Sequence, residues 1–218
     1  VSLEGTARLR QGVYRLLALG FSYPSPRLVE TAAGAPAALD AYGLFDFSFS
    51  LDVVEASAEV ARSSLEELEV AYIALFEAGL GGTACSLFES DHLADPRLGQ
   101  VAEVRSAVRR TLLRFGLTLE GTLPDMVDHL STELDAMALL CSREVTDWAT
   151  SGRPGRSLSH QRELFEDHLG RWAPSLARQV RGAARHPAYT ALAAALAAFV
   201  EHERQWLPRL VETAEALR

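Results

Sequence analysis

The sequence predicts an all-α fold. Apolar residues recur at three- and four-residue intervals along most of the chain, glycines and prolines fall between these periodic segments, and no two alternating segments offer a strand pair. The 218 residues, 48% hydrophobic and 23% charged, suffice for one large helical domain of 1–218 or for two closely packed subdomains. Stretches 79–99 and 151–156 read as internal connections.

The first helix is expected over Ala7–Phe21, with Leu9, Val13, Leu16, Leu17 and Phe21 on one stripe; Gly20 and Tyr23-Pro24-Ser25-Pro26 stop it. A second begins after Pro26 and fades at Gly34–Pro36. Gly43–Leu51 carries Leu44, Phe45, Phe47, Phe49 and Leu51. A lone strand there would have no partner, so an extended loop anchored by aromatics is predicted. Asp52–Glu77 reads as one long helix ended by Gly79, Gly81 and Gly82. The connection from Gly79 to Gly99 contains Leu87-Phe88-Glu89-Ser90-Asp91-His92. Long loops are often functional, while Glu89, Ser90 and Asp91 also suit an ordinary polar cap.

Gln100–Phe115 is predicted helical and closed by Gly116, and another helix starts beside Pro124 and runs to about Trp148. Ser151–Arg156 is a turn rich in Gly, Pro and Arg. Helices follow over Leu158–Trp172, Pro174–Ala184 and Pro187–Leu207, with Pro208 kinking or breaking the last. Asp-His-Leu occurs at Asp91, Asp128 and Asp167, but the flanks do not repeat and no solenoid is inferred.

The net charge of −8 argues against nucleic acid and anionic membranes as partners and suits a cationic one. All 21 basic residues are arginine. Cys85 and Cys141 lie far apart, so no disulfide scaffold or four-ligand zinc site is expected and a reducing cytoplasm is the simplest setting. No signal-peptide pattern opens the chain, and the weakly polar run Tyr189–Val200 is too short to span a bilayer, so no stable membrane insertion is expected. No P-loop is present. The sequence leaves monomer and homodimer equally open.

On the helix after Pro124, Met126, Leu130, Leu134, Met137 and Cys141 form an apolar stripe. At about 100° per residue, Asp125, His129 and Glu133 stack on its flank, and Asp128 falls on the solvent side of the first turn. A carboxylate there suits the helix dipole. This edge admits four readings. It is a capped, solvated helix face. It is a metal site, although neither a second-helix Glu-x-x-His nor an HExxH accompanies it. It is an acid/base pair, although no nucleophile elbow is present. Or it is a recognition edge, where carboxylates beside an apolar groove meet guanidinium groups and hydrophobic side chains. His168, beside Leu169 and Trp172, reads as a packing or hydrogen-bonded histidine.

The segment Leu123-Pro124-Asp125-Met126-Val127-Asp128-His129-Leu130-Ser131-Thr132-Glu133-Leu134 resembles the signature of the TorD/DmsD/NarJ family of redox-enzyme maturation chaperones. Three other segments agree in order: Tyr14-Arg15-Leu16-Leu17-Ala18 through Tyr23-Pro24; Tyr72-Ile73-Ala74-Leu75-Phe76 followed by Leu87-Phe88-Glu89-Ser90; and Phe165 through His168-Leu169, Trp172 and Pro174. The resemblance implies an all-helical, cytoplasmic, non-catalytic protein without cofactor. Such a protein binds the N-terminal leader, often a twin-arginine signal, and the apo form of a molybdopterin-dependent oxidoreductase subunit, delaying export or assembly until the cofactor is inserted. It carries the leader-contact role to Asp128, His129 and Glu133 first, then to Asp125, Pro124, Glu89 and Ser90. A helical metal protein or enzyme using Asp125, His129 and Glu133 is the alternative.

Overall fold

The computed structural model describes residues 2–77, 83–93, 100–118 and 126–216. Ser2 caps α1 (Leu3–Gly20) by accepting the Gly5 N–H. The predicted stripe Leu9, Val13, Leu16, Leu17 and Phe21 is buried, much of it where α1 packs along α7 (Leu130–Thr150). α2 (Pro26–Asp40) does not fade at Gly34 but continues through Pro36. Its inner residues Ala32, Ala35 and Leu39 are buried, and the helix lies against α1 and α3 (Ser50–Arg62). Between α2 and α3, Gly43 adopts φ 82° and starts a 3-10 turn over Leu44–Asp46. Leu44 and Phe49 enter the core, Phe47 is half-buried, and Phe45 stays exposed.

The single helix expected over 52–77 is two. Ser63 is extended and its hydroxyl donates to the Glu59 carbonyl at 2.7 Å. Ser64 then caps α4 (Leu65–Phe76) in a reciprocal box with Glu67. Of the 79–99 connection, 79–82 and 94–99 lie outside the described residues; the rest includes a short helix, α5 (Glu89–Leu93). α6 (Val101–Arg114) closes at Gly116, where φ is 66°. α7 begins at Leu130, not beside Pro124, and His129 is its N-cap. Pro124 and Asp125 lie outside the described residues.

α8 (Gly155–Leu164) passes through a wide π-turn, Phe165–Leu169, into α9 (Gly170–Ala183), so the break expected before Pro174 is absent. A Cβ on Gly170 would stand 2.8 Å from the Phe165 carbonyl oxygen, which accounts for glycine there. α10 (Pro187–Ala216) runs on through Pro208, because Leu207, Leu210, Val211 and Ala214 keep its inner face buried. That packing outweighs the hydrogen bond proline cannot donate. α10 packs on α9, α3 and α8, and one hydrophobic core runs through the helices. Among the described residues the β pairing is a single bridge between Phe88 and His129. No described helix is long and apolar enough to cross a membrane.

A polar network sits inside this core. Arg10 on α1 donates from Nε to Glu203 on α10 at 2.8 Å, from one terminal nitrogen to Glu144 on α7 at 2.9 Å, and from the other to Gln161 on α8 at 2.6 Å. Tyr14 donates to Glu203 at 2.8 Å, and Gln161 and Trp148 donate to Glu144 at 2.9 Å and 3.2 Å. Arg10, Tyr14, Glu144, Gln161 and Glu203 are all fully buried. Burial and the Glu203 carboxylate push the Tyr14 phenol well up, so it stays a donor. Removing one member strands the others without water. Arg10→Ala is therefore expected to cost about 3–5 kcal/mol in urea unfolding; a loss below about 1 kcal/mol, the scale of an exposed ion pair, would contradict this.

Candidate functional site

Strand-like backbone pairing brings the two motif segments together. The Leu130 N–H donates to the Leu87 carbonyl at 2.8 Å and the Glu89 N–H to the Asp128 carbonyl at 2.9 Å. The Asp128 carboxylate then accepts the Ser90 N–H at 3.1 Å and faces Arg105 Nε of α6 at 3.3 Å. Asp128 thus holds the start of α5 with both its main chain and its side chain. It is fully buried, not on the solvent side of a helix. The helical wheel fails here because 126–129 is a turn and the helix starts one residue later.

Glu89 points inward. His168 Nδ1 lies 3.1 Å from both its oxygens, and His168 Nε2 lies 3.2 Å from the Thr111 hydroxyl on α6. Glu133, on the first turn of α7, accepts the Trp172 indole N–H at 3.2 Å, and its other oxygen has no hydrogen-bond partner among the described residues. Burial, then the neighbouring Glu89 charge, push the Glu133 carboxyl well above the ordinary range, which favours its neutral form. His129 packs its ring 5.1 Å from Phe88 and uses Nδ1 to accept the Ser131 N–H at 3.2 Å. Burial pushes it down to about 4, against the opposing pull of Asp128. His129 Nδ1 is engaged in capping, and Asp125 of the metal reading lies outside the described residues. Among the described residues no group of three or more His, Cys, Asp or Glu side chains is arranged to hold a metal.

Five of the predicted site residues, Glu89, Ser90, Asp128, His129 and Glu133, therefore meet in one cluster, and all five are buried. Sequence reasoning missed the recruitment of His168, Trp172, Thr111 and Arg105. The signal was present in the three Asp-His-Leu motifs. His92 packs 5.0 Å from Trp172, His129 against Phe88, and His168 binds Glu89. They are not a structural repeat: one ends α5, one caps α7, and one lies in the π-turn.

The outer face near this cluster is a groove of about 680 Å³. Val70, Ala71, Ala74 and Leu75 of α4 line it with Ala84 and Ala183, and Glu66, Glu67, Arg185 and His186 add charged and polar groups. Val70 is 64% exposed. The Cys85 N–H donates to the Leu75 carbonyl at 2.9 Å, tying the Ala84 wall to α4. The buried cluster fixes the same segment from the other side, through Leu87, Glu89 and Ser90.

This architecture is that of redox enzyme maturation proteins. A solved structure of that description from Archaeoglobus fulgidus superposes with a TM-score of 0.55 over 88% of this chain and 93% of that one, at 21% identity, which speaks for the fold alone. The family described as nitrate reductase delta subunit matches residues 38–178, and this chain belongs to it, within the TorD/NarJ family of molybdoenzyme maturation chaperones. Similar proteins include the selenate reductase assembly chaperone of Thauera selenatis, 31% identical over 89% of this chain and 87% of that one. The perchlorate reductase assembly chaperone of Dechloromonas aromatica is 27% identical over 78% and 77%, and the chaperone TorD of Aeromonas salmonicida 27% over 71% and 70%. Members of this family are assembly chaperones, not catalysts.

The two shifted groups act in opposite directions as the pH changes. His129 is depressed from 6.5 to about 4, so the unfolded chain takes up the proton first and stability falls as pH drops from 6.5 through 4. The loss is on the order of 3 kcal/mol, and His129→Asn, which keeps a cap, is expected to flatten it in urea unfolding at the two pH values. Glu133 is raised, so its contribution is complete below 4.5 and is lost as pH rises through its folded value. Glu133→Gln can still accept from Trp172. It is expected to lose less stability than the parent as pH rises above 4.5; an unchanged slope would show that the Glu133 carboxyl is not raised in the folded protein.

Proposed function

We propose that this chain binds the N-terminal leader and the apo form of a molybdopterin-dependent reductase subunit in the cytoplasm, holding it until cofactor insertion. Its membership of a family of assembly chaperones and its similarity to chaperones named for selenate and perchlorate reductases support a reductase subunit as the client. The leader is the element whose chemistry fits this surface: an arginine-bearing head and an apolar stretch. The observation that carries this reading is the largely apolar groove of α4, open to solvent and lined also by Glu66, Glu67, Arg185 and His186. In this mode the apolar stretch lies along Val70 and Ala74, and the arginines pair with Glu66 and Glu67. Asp128, Glu89 and Glu133 act from inside, by fixing the segment that carries Ala84, and His129 by capping α7. They are positioning residues, not contacts.

Titration of the purified protein with a synthetic twin-arginine leader tests this. Low-micromolar or tighter binding that weakens with salt is expected. Glu66→Arg and Val70→Arg change exposed side chains and leave the fold intact; each is expected to weaken binding at least tenfold. Failure of every such leader to bind would remove the leader reading, while full affinity in both variants would move the contact away from α4.

A further inference from the structure

His168 and Trp172, two members of the buried cluster, stand on either side of Gly170, where the π-turn Phe165–Leu169 passes into α9. A π-turn is rare inside helices and often marks a functional position. In an α-helix the carbonyl of one residue accepts the N–H of the residue four further on. For Gly170 that residue is Pro174, which has no N–H. Gly170 is buried, so its carbonyl needs another donor. The chain supplies one from α10: a terminal nitrogen of Arg204 donates to the Gly170 carbonyl at 2.7 Å.

The same guanidinium lies over the Phe165 ring, 5.8 Å from its centroid. Phe165 and Gly170 bracket the π-turn, and the Gly170 N–H donates back to the Phe165 carbonyl. Arg204 therefore holds both ends of the turn at once. Phe165, Gly170 and Arg204 line one cavity of about 200 Å³ between α10 and the turn, so the guanidinium reaches across a gap and not along a packed wall. Its Nε faces Glu201, one turn earlier on α10, at 3.6 Å, which aims the side chain. Arginine keeps its charge at every working pH, so this contact does not titrate.

The turn carries the far half of the cluster. His168, within it, meets both oxygens of Glu89, and Trp172, just after it, donates to Glu133. We propose that Arg204 is a positioning residue for that cluster: by filling the hydrogen bond that Pro174 leaves open, it sets the π-turn so that His168 and Trp172 reach Glu89 and Glu133. Through Glu89 the same contact bears on the 83–93 segment and on the Ala84 edge of the groove, a last step that rests on the leader reading given above.

The test compares the full chain with Arg204→Met, Arg204→Lys, Pro174→Ala and the double variant Arg204→Met/Pro174→Ala. Methionine keeps the stem and loses the donor, lysine keeps a donor, and alanine at 174 returns the missing N–H. NMR reads the His168 ring resonances and the exchange of the Glu89 amide, and titration reads affinity for the synthetic twin-arginine leader. Arg204→Met leaves a buried carbonyl without a donor. It is expected to shift the His168 ring, to speed Glu89 exchange and to weaken leader binding about fivefold or more. Arg204→Lys and the double variant are expected to return all three readouts toward the parent, and Pro174→Ala alone to leave them unchanged. Selective rescue by an N–H at 174 is what a contact serving only overall stability would not show. Parental His168 and Glu89 signals in Arg204→Met, or a double variant no nearer the parent than Arg204→Met, overturn the role of Arg204. Ring and amide changes with unaltered leader affinity overturn its link to the groove. A parent that binds no leader overturns the leader reading instead, and the ring and amide signals still decide on Arg204.

Discussion

Arg10 joins four helices at a point no water reaches. Its guanidinium meets Glu203, Glu144 and Gln161, so α1, α10, α7 and α8 must arrive in register before any of these groups is satisfied. A buried ion pair adds little net stability over a well-packed apolar one, since desolvation offsets most of the attraction. Its force lies in exclusion: any slip of one helix leaves a charge alone in the core. Here one arginine faces two carboxylates, and the excess negative charge is met by the Tyr14, Trp148 and Gln161 donors. With α7 held in this way, its N-terminal end is fixed, and the second polar cluster is built on that end.

The second cluster converts a fixed helix into a fixed surface. Glu133 and His129 stand at the start of α7, His168 lies in the π-turn and Trp172 follows it, and Asp128 and Glu89 draw the 83–93 segment against them. The segment then carries Ala84 to the edge of α4. The signature residues of the family are therefore internal. Burial raises Glu133 and lowers His129, so both disfavour their charged forms, which suits a dry interior that holds a loop in one conformation.

The fold class was legible because periodicity records one-sided burial: α1 and α6 show it and appear as read, and α10 goes only past Pro208. The split at Ser63–Ser64 was also legible, since Ser64 and Glu67 have capping-box spacing, but the apolar period across it masked the break. The start of α7 was not legible. It is set by the pairing of Phe88 with His129, a contact between segments far apart in sequence. The burial of Asp128 follows from that same pairing. Arg10, Glu144 and Glu203 each interrupt an apolar stripe at helical spacing, which marks a buried charge, but their partners lie 134 and 193 residues away and periodicity cannot name them. The resemblance to a chaperone family located the motif residues; the fold shows that the described ones are buried together.

That distinction between positioning and contact is the centre of the account. It is tested most directly by amide hydrogen exchange on the free protein and on the protein saturated with leader. The account predicts that the Glu89, Ser90 and Leu130 amides, donors to buried acceptors, are already protected in the free protein and change little, while protection newly appears along Val70–Ala74. Rapid exchange at Glu89–Leu93 in the free protein, with protection gained there only when leader binds and none on α4, would contradict it and return the contact to Asp128 and its neighbours.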